Sequence, residues 1–127
     1  MSNSDVITAF CKVWSEKDVD KIMEFFNDDA VYHNIPMEPA NVGKDQIRAV
    51  IETFMAGAPE TIEFALHHQA EDASGVVMNE RTDIFKIGDT MVRLRVMGTF
   101  ELSDGKISAW RDYFDMQQYM SQQPQQG

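Results

Sequence analysis

The chain reads as an α+β domain, three helices followed by a largely antiparallel sheet. Two observations predict this. Hydrophobic residues recur with a period near 3.6 before Gly57 and Pro59 and with a period of 2 after them. The second half is then cut at intervals by Ser74-Gly75, Gly88-Asp89 and Asp104-Gly105, residue pairs suited to tight turns between antiparallel strands. A length of 127 residues fits one domain, large enough to bury about two-thirds of its unfolded surface.

Ser4 is a suitable N-cap, with Asp5 placing negative charge in the first turn. Val6, Ile7, Phe10, Val13 and Trp14 follow at helical spacing, so a helix is expected over about 5–16. Asp18 caps a second, short helix carrying Val19, Ile22, Met23 and Phe26, which Asn27-Asp28-Asp29 is expected to end. Ala30 to Ile35 reads as a short strand stopped by Pro36. A loop containing Pro36, Pro39 and Gly43 leads to a third helix with Ile47, Val50, Ile51 and Phe54 on one face.

Beyond Pro59, Ile62, Phe64, Leu66 and His68 alternate in a first long strand. Val76 to Lys86 forms the next, and Met91 to Leu102 the third, with Val92, Leu94, Val96, Phe100 and Leu102 on one face and Arg93, Arg95 and Thr99 on the other. Gly98, in the middle of that strand, is expected to bend or bulge it. Ile107 to Met116 is the last strand. The domain is expected over 1–120, and the glutamine-rich stretch 121–127 as a flexible polar tail.

Eleven Lys and Arg against 21 Asp and Glu give a formal charge of −10, which argues against nucleic acid or anionic membrane as a partner. No apolar run approaches the ~18 residues of a membrane span. The N-terminus lacks a basic segment followed by an apolar core, so no signal peptide is expected. Cys11 is the lone cysteine, which excludes an internal disulfide and suits a reducing compartment. A soluble cytoplasmic protein is the expectation. Cys11 lies at the margin of the first helix's apolar stripe and reads as an inert thiol. His33, His67 and His68 lack the spacing of a metal site, and His67 and His68 would point to opposite sheet faces.

Chemistry is sought where charge meets apolar periodicity. Arg81 and Asp83 share a strand face with Val77, Asn79 and Phe85, and Asp112 alternates with Trp110, Phe114 and Met116. Charges aimed into an apolar interior are costly unless they satisfy one another. The opposite face of the first of these strands, with Val76, Met78 and Ile84, is also apolar, so periodicity leaves open which side points in. A surface ion pair and a functional site therefore both remain. Tyr32 and Asn34 share a face of the short strand, two uncharged groups suited to holding water. Nine methionines and eight phenylalanines supply material for an adaptable apolar pocket, or simply for a core.

Asn79-Glu80-Arg81-Thr82-Asp83, Asp104-Gly105-Lys106-Ile107 and Trp110-Arg111-Asp112-Tyr113-Phe114-Asp115, with Tyr32-x-Asn34 upstream, resemble the limonene-1,2-epoxide hydrolases over nearly the whole chain. The resemblance implies the cone-shaped fold of nuclear transport factor 2, ketosteroid isomerases and SnoaL-like polyketide cyclases: three N-terminal helices on a curved, mainly antiparallel six-stranded sheet. It further implies a homodimer packed through the sheet and a deep apolar pocket. By the resemblance, an N-terminal extension found in some relatives is expected to be lacking here. Carried over by residue, Asp112 matches the general base, Asp83 the general acid and Arg81 the group bridging them. Tyr32 and Asn34 match the residues that orient the hydrolytic water with Asp112. The implied reaction takes a small apolar epoxide and water to a vicinal diol with no cofactor.

Two other readings stand beside it. One is a proton-shuttling enzyme of the ketosteroid-isomerase or polyketide-cyclase kind, which needs one base and an oxyanion donor and has no requirement for an arginine between two aspartates. The other is a non-catalytic small-molecule-binding module in which the charged trio is a buried network.

Overall fold

The first helix starts where Ser2 and Asp5 cap each other. In the computed structural model, which describes residues 1–57 and 59–123, Ser2 Oγ accepts the Asp5 N–H while the Asp5 carboxylate accepts the Ser2 N–H. This capping box opens α1 (Asn3–Val13). Ser4, the expected cap, lies inside the first turn. Asp18 caps α2 (Val19–Met23) as expected, accepting the Lys21 N–H. Gly43 precedes α3 (Lys44–Ala56), which buries Ile47 and Ile51 and half-buries Val50 and Phe54 on the predicted face.

Six strands form one sheet: β1 (Phe26–Asn34), β2 (Asn41–Val42), β3 (Thr61–Glu71), β4 (Val77–Ile87), β5 (Thr90–Ser103) and β6 (Lys106–Phe114). Their order is β2-β1-β6-β5-β4-β3. All neighbours are antiparallel except β1 and β6, which run parallel. The expected α+β architecture holds. Asp104 and Gly105 both adopt positive φ, as the two-residue turn between β5 and β6 demands.

Several local expectations fail for identifiable reasons. Asn27-Asp28-Asp29 does not end α2. It sits inside β1, where pairing with β6 is irregular between Phe26 and Val31 and the two aspartates turn to solvent. β3 carries a bulge between Leu66 and His68. The extra residue shifts the alternation, so His68 pairs opposite exposed Glu80 and Gln69 opposite buried Asn79. His67 bonds Thr82 Oγ1 at 2.7 Å, on the same outer face as Glu80, so the two histidines do not take opposite faces. Gly98 causes no bulge, since pairing with both neighbours is regular through it. Met116 leaves the strand, because Asp115 accepts the Gln117 N–H and caps a fourth helix, α4 (Met116–Ser121).

The core lies between the helices and the inner sheet face. Phe10 is at its centre, its ring 5.0–6.0 Å from those of Trp14, Phe26, Phe100 and Trp110 in edge-to-face contacts. α4 closes one margin: Gln118 Oε1 accepts the Arg95 N–H at 3.1 Å, and Gln122 accepts the Arg93 N–H and donates to its carbonyl at 2.8 and 2.7 Å. Of the tail expected at 121–127, residues 124–127 lie outside the described residues. No described helix is long and apolar enough to cross a membrane.

Candidate active site

β4 settles which face points in. Val77, Asn79, Arg81, Asp83 and Phe85 are buried in strict alternation, while Met78 on the other face is exposed. Residues paired across the sheet share a face, so a row forms at one level: Asn34 in β1, Asp112 in β6, Gly98 in β5, Asn79 in β4 and Gln69 in β3. Tyr32 pairs with Trp110 one step away, and the rings stack at 4.0 Å with an interplanar angle of 12°. The backbone N–H of Ile35 donates to the Asp112 carbonyl at 2.9 Å, which pins the end of β1 to the site.

Arg81 is fully buried and binds both carboxylates. Its Nε–H and Nη2–H donate to the two oxygens of Asp83 at 2.7 and 3.2 Å, a bidentate pair, and Nη2 also donates to Asp112 Oδ2. The guanidinium carbon lies 4.9 Å from the Phe64 ring centroid. Trp110 donates its indole N–H to Asp112 Oδ1 at 2.6 Å. Tyr32 donates to Asn34 Oδ1 at 3.1 Å, which leaves the N–H donors of that amide for other partners.

Burial sets the electrostatics. It pushes Asp83 up to about 6, with Arg81 opposing the rise and Asp112 adding to it. Burial raises Asp112 as well, against the pull of Arg81 and the Trp110 hydrogen bond. The Arg81 guanidinium stays protonated because the two carboxylates outweigh its own burial. Tyr32 is held neutral by burial and then by the nearby Asp112 charge. Two carboxyls on one cation titrate as a pair and favour holding one proton between them. Cys11, on the far side, is raised to about 12 by burial, which keeps it an unreactive thiol.

Both carboxyls open onto a cavity of about 410 Å³ that Tyr32 and Asn34 also line. Its other walls are chiefly apolar, including Val50 and Phe54 of α3, Leu94 and Val96 of β5, and Tyr119 of α4. Arg81 is behind this surface. The cavity therefore meets two acids, an amide and a phenol among walls that are otherwise chiefly apolar. Among the described residues no group of three or more His, Cys, Asp and Glu is placed to hold a metal ion.

The sequence model of the limonene-1,2-epoxide hydrolase catalytic domain matches residues 1–125. The chain belongs to the limonene-1,2-epoxide hydrolase family. It is 34% identical over 110 residues to epoxide hydrolase EphG of Mycobacterium tuberculosis (strain ATCC 25618 / H37Rv), a match covering 87% of this chain and 71% of that protein. The solved structure of an M. tuberculosis LEH-like epoxide hydrolase superimposes with a TM-score of 0.81 at 30% identity, over 94% of this chain and 86% of that one. A protein with a ketosteroid isomerase-like fold from Catenulispora acidiphila DSM 44928 gives a TM-score of 0.80 at 15% identity, over 92% and 90% of the two chains. That likeness shows the fold alone.

In this member of the epoxide hydrolase family, the five residues singled out from the sequence come together: Tyr32, Asn34, Asp83 and Asp112 line one cavity, and Arg81 lies behind its surface, bound to both acids. Sequence reasoning missed the roles of three others. Trp110 serves Asp112 as a hydrogen-bond donor as well as packing in the core. Asn79 accepts from Arg81 Nη1 at 3.2 Å, a role its place two residues before Arg81 on the buried face could have signalled. Gly98 provides room. A Cβ there would lie 2.6 Å from Arg81 Nη1, 2.9 Å from Asp112 Oδ1 and 3.0 Å from Asn79 Oδ1.

Proposed function

We propose that this chain is a cofactor-independent epoxide hydrolase that adds water to an apolar epoxide in one step, giving a vicinal diol. The observation that carries this reading is that Asp83 and Asp112 open onto one apolar cavity while a single buried guanidinium binds both. Asp112, ionised, takes a proton from water as that water attacks a ring carbon. Asp83, protonated, delivers its proton to the epoxide oxygen as the C–O bond breaks. Tyr32 and Asn34 hold the water with Asp112. Water and epoxide become diol, and the pair ends with its proton on the other carboxyl, to be returned by exchange before the next turnover. A proton shuttle of the ketosteroid-isomerase kind gives no use to an arginine bound to two acids at once.

The same proposal includes a homodimer packed through the outer sheet face, in a reducing cytoplasm to which a buried lone thiol is suited. Met97 and Tyr113 are pairing partners on that face with 49% and 46% of their surface exposed, and Met78 adds to the apolar patch.

Single turnover of an apolar cyclic epoxide in ¹⁸O-labelled water, with enzyme in large excess, tests the mechanism. The diol is expected to carry oxygen directly from solvent. Oxygen drawn from the protein on the first turnover would overturn the one-step scheme and indicate an aspartyl ester. The pH profile is a second check. The acid form of Asp83 exists below its pKa of about 6, so kcat/KM is expected to fall as pH rises through that region. At lower pH it falls again as a second proton fills the pair and neutralises Asp112. A rate that keeps climbing above pH ~8 would remove Asp83 from the acid's role.

A further inference from the structure

The side of Arg81 away from the cavity is held by uncharged groups arranged in a directional chain. Nη1 donates to Asn79 Oδ1 at 3.2 Å. Asn79 Nδ2 donates to Gln69 Oε1 at 3.2 Å. Gln69 Nε2 then donates to the Ser4 carbonyl at 2.9 Å, Ser4 Oγ at 2.8 Å and Thr8 Oγ1 at 3.0 Å. We infer that Asn79 is a positioning residue for the acid–base pair, oriented by this chain from the first turn of α1 to the guanidinium. The inference rests on the reading of Asp83 and Asp112 as that pair.

The polarity of the chain is imposed at both ends. A guanidinium only donates, so Asn79 must turn its oxygen to it and its nitrogen toward Gln69. A backbone carbonyl only accepts, so Gln69 must turn its nitrogen to Ser4 and its oxygen toward Asn79. The two requirements agree, and flipping either amide would set donor against donor or acceptor against acceptor. Two features of the sheet serve this arrangement. The β3 bulge turns Gln69, rather than His68, to the face that Asn79 occupies. Gly98 leaves the space in which Asn79 Oδ1 meets Nη1.

An uncharged acceptor suits the position. It fixes the guanidinium from behind without adding a third negative charge, so the positive field is left to Asp83 and Asp112. A displacement of about 1 Å of a reacting or positioning group can cost on the order of 10²-fold in rate. The other titratable groups around Arg81 are Tyr32 and Cys11, both held neutral.

The test compares the whole wild-type chain with Asn79→Ala, Gln69→Leu and, as control, Cys11→Ala, whose thiol is 3.9 Å from Asn79 Nδ2. Three quantities are read: thermal unfolding, kcat and KM for an apolar cyclic epoxide, and the carboxyl ¹³C titration of Asp83 and Asp112, which needs no substrate. Asn79→Ala is expected to lower kcat about 10- to 100-fold with KM within about 2-fold, and to move the carboxyl titration to higher pH as Arg81 loosens from both acids. Gln69→Leu is expected to do the same to a smaller degree, and Cys11→Ala to leave kcat and titration as in wild type. Should Asn79→Ala not fold, half-buried Gln69 carries the comparison. Folded variants with wild-type kcat and titration overturn the inference. So does a loss of activity that merely tracks the unfolded fraction while the titration stays put. A wild-type chain that hydrolyses no epoxide defeats the function proposed above, whereas the carboxyl titration still decides the role of Asn79.

Discussion

Asp112→Asn is expected to lower kcat by roughly 10²- to 10⁴-fold, the usual worth of a positioned general base, in a protein that still folds. The amide keeps the carboxylate's shape, so its oxygen can go on accepting the Trp110 indole N–H. It cannot take a proton from water. Its N–H₂ group also faces the Arg81 N–H that Asp112 now accepts, and an unsatisfied buried donor costs about 1–3 kcal/mol. The variant should therefore melt at a lower temperature while keeping its near-ultraviolet circular dichroism. Asp83→Asn tests the other half of the pair and should lose a comparable factor, since an amide has no acidic proton to give the epoxide oxygen. Near-wild-type turnover in either variant would take that residue out of the proposed scheme.

Gly98→Ala is the second large effect, and it acts without replacing an ionisable residue. The position lies between its two pairing partners, Asn79 and Asp112, directly over the guanidinium. A methyl group would come within 2.6–3.0 Å of the side chains of Arg81, Asp112 and Asn79. Side-chain ends can often give way, but these are buried and held by several hydrogen bonds, so the added carbon is expected to push the arginine off its acids. Overpacking of this kind costs about 1–3 kcal/mol, and the displaced cation should reduce kcat by on the order of 10²-fold. Gly88→Ala separates the causes. Gly88 has φ 58 and nothing within 4 Å of a new Cβ, so that variant should lose stability through backbone strain and keep its kcat. Kinetics and thermal melts on the pair check both points. Wild-type kcat in Gly98→Ala would show that the cluster tolerates what its geometry forbids.

Features with local causes were legible in the sequence, and those with tertiary causes were not. The strands after Pro59 were readable because alternation and turn residues are local signals, and Asp104-Gly105 names its own turn. The cap of α1 is Ser2 and not the expected Ser4, although the local signal for it was present. Ser2 has an acidic residue three positions on and Ser4 does not, so the spacing of Ser2 and Asp5 already fits a capping box. The β3 bulge was not readable, because an extra residue in a strand is defined only by its partner. For the same reason Asn27-Asp28-Asp29 looked like a helix stop and proved to be an irregular part of a strand. Arg81, Asp83 and Asp112 were visible as charges at apolar spacing. That they face inward depended on helices covering one side of β4, which its two apolar faces did not specify. Gly98 was noticed for the wrong reason: its need for glycine comes from side chains two strands wide, not from its own backbone.

The glutamines of α4 have an effect on how this protein meets its neighbours in solution. Past its pairing with Phe114, β5 continues alone on that side, and its bare amides would template another extended chain. Gln118 and Gln122 occupy those amides at Arg95 and Arg93, where no strand among the described residues pairs with β5. A glutamine-rich segment thus occupies a stretch of strand edge that would otherwise be open to foreign strands.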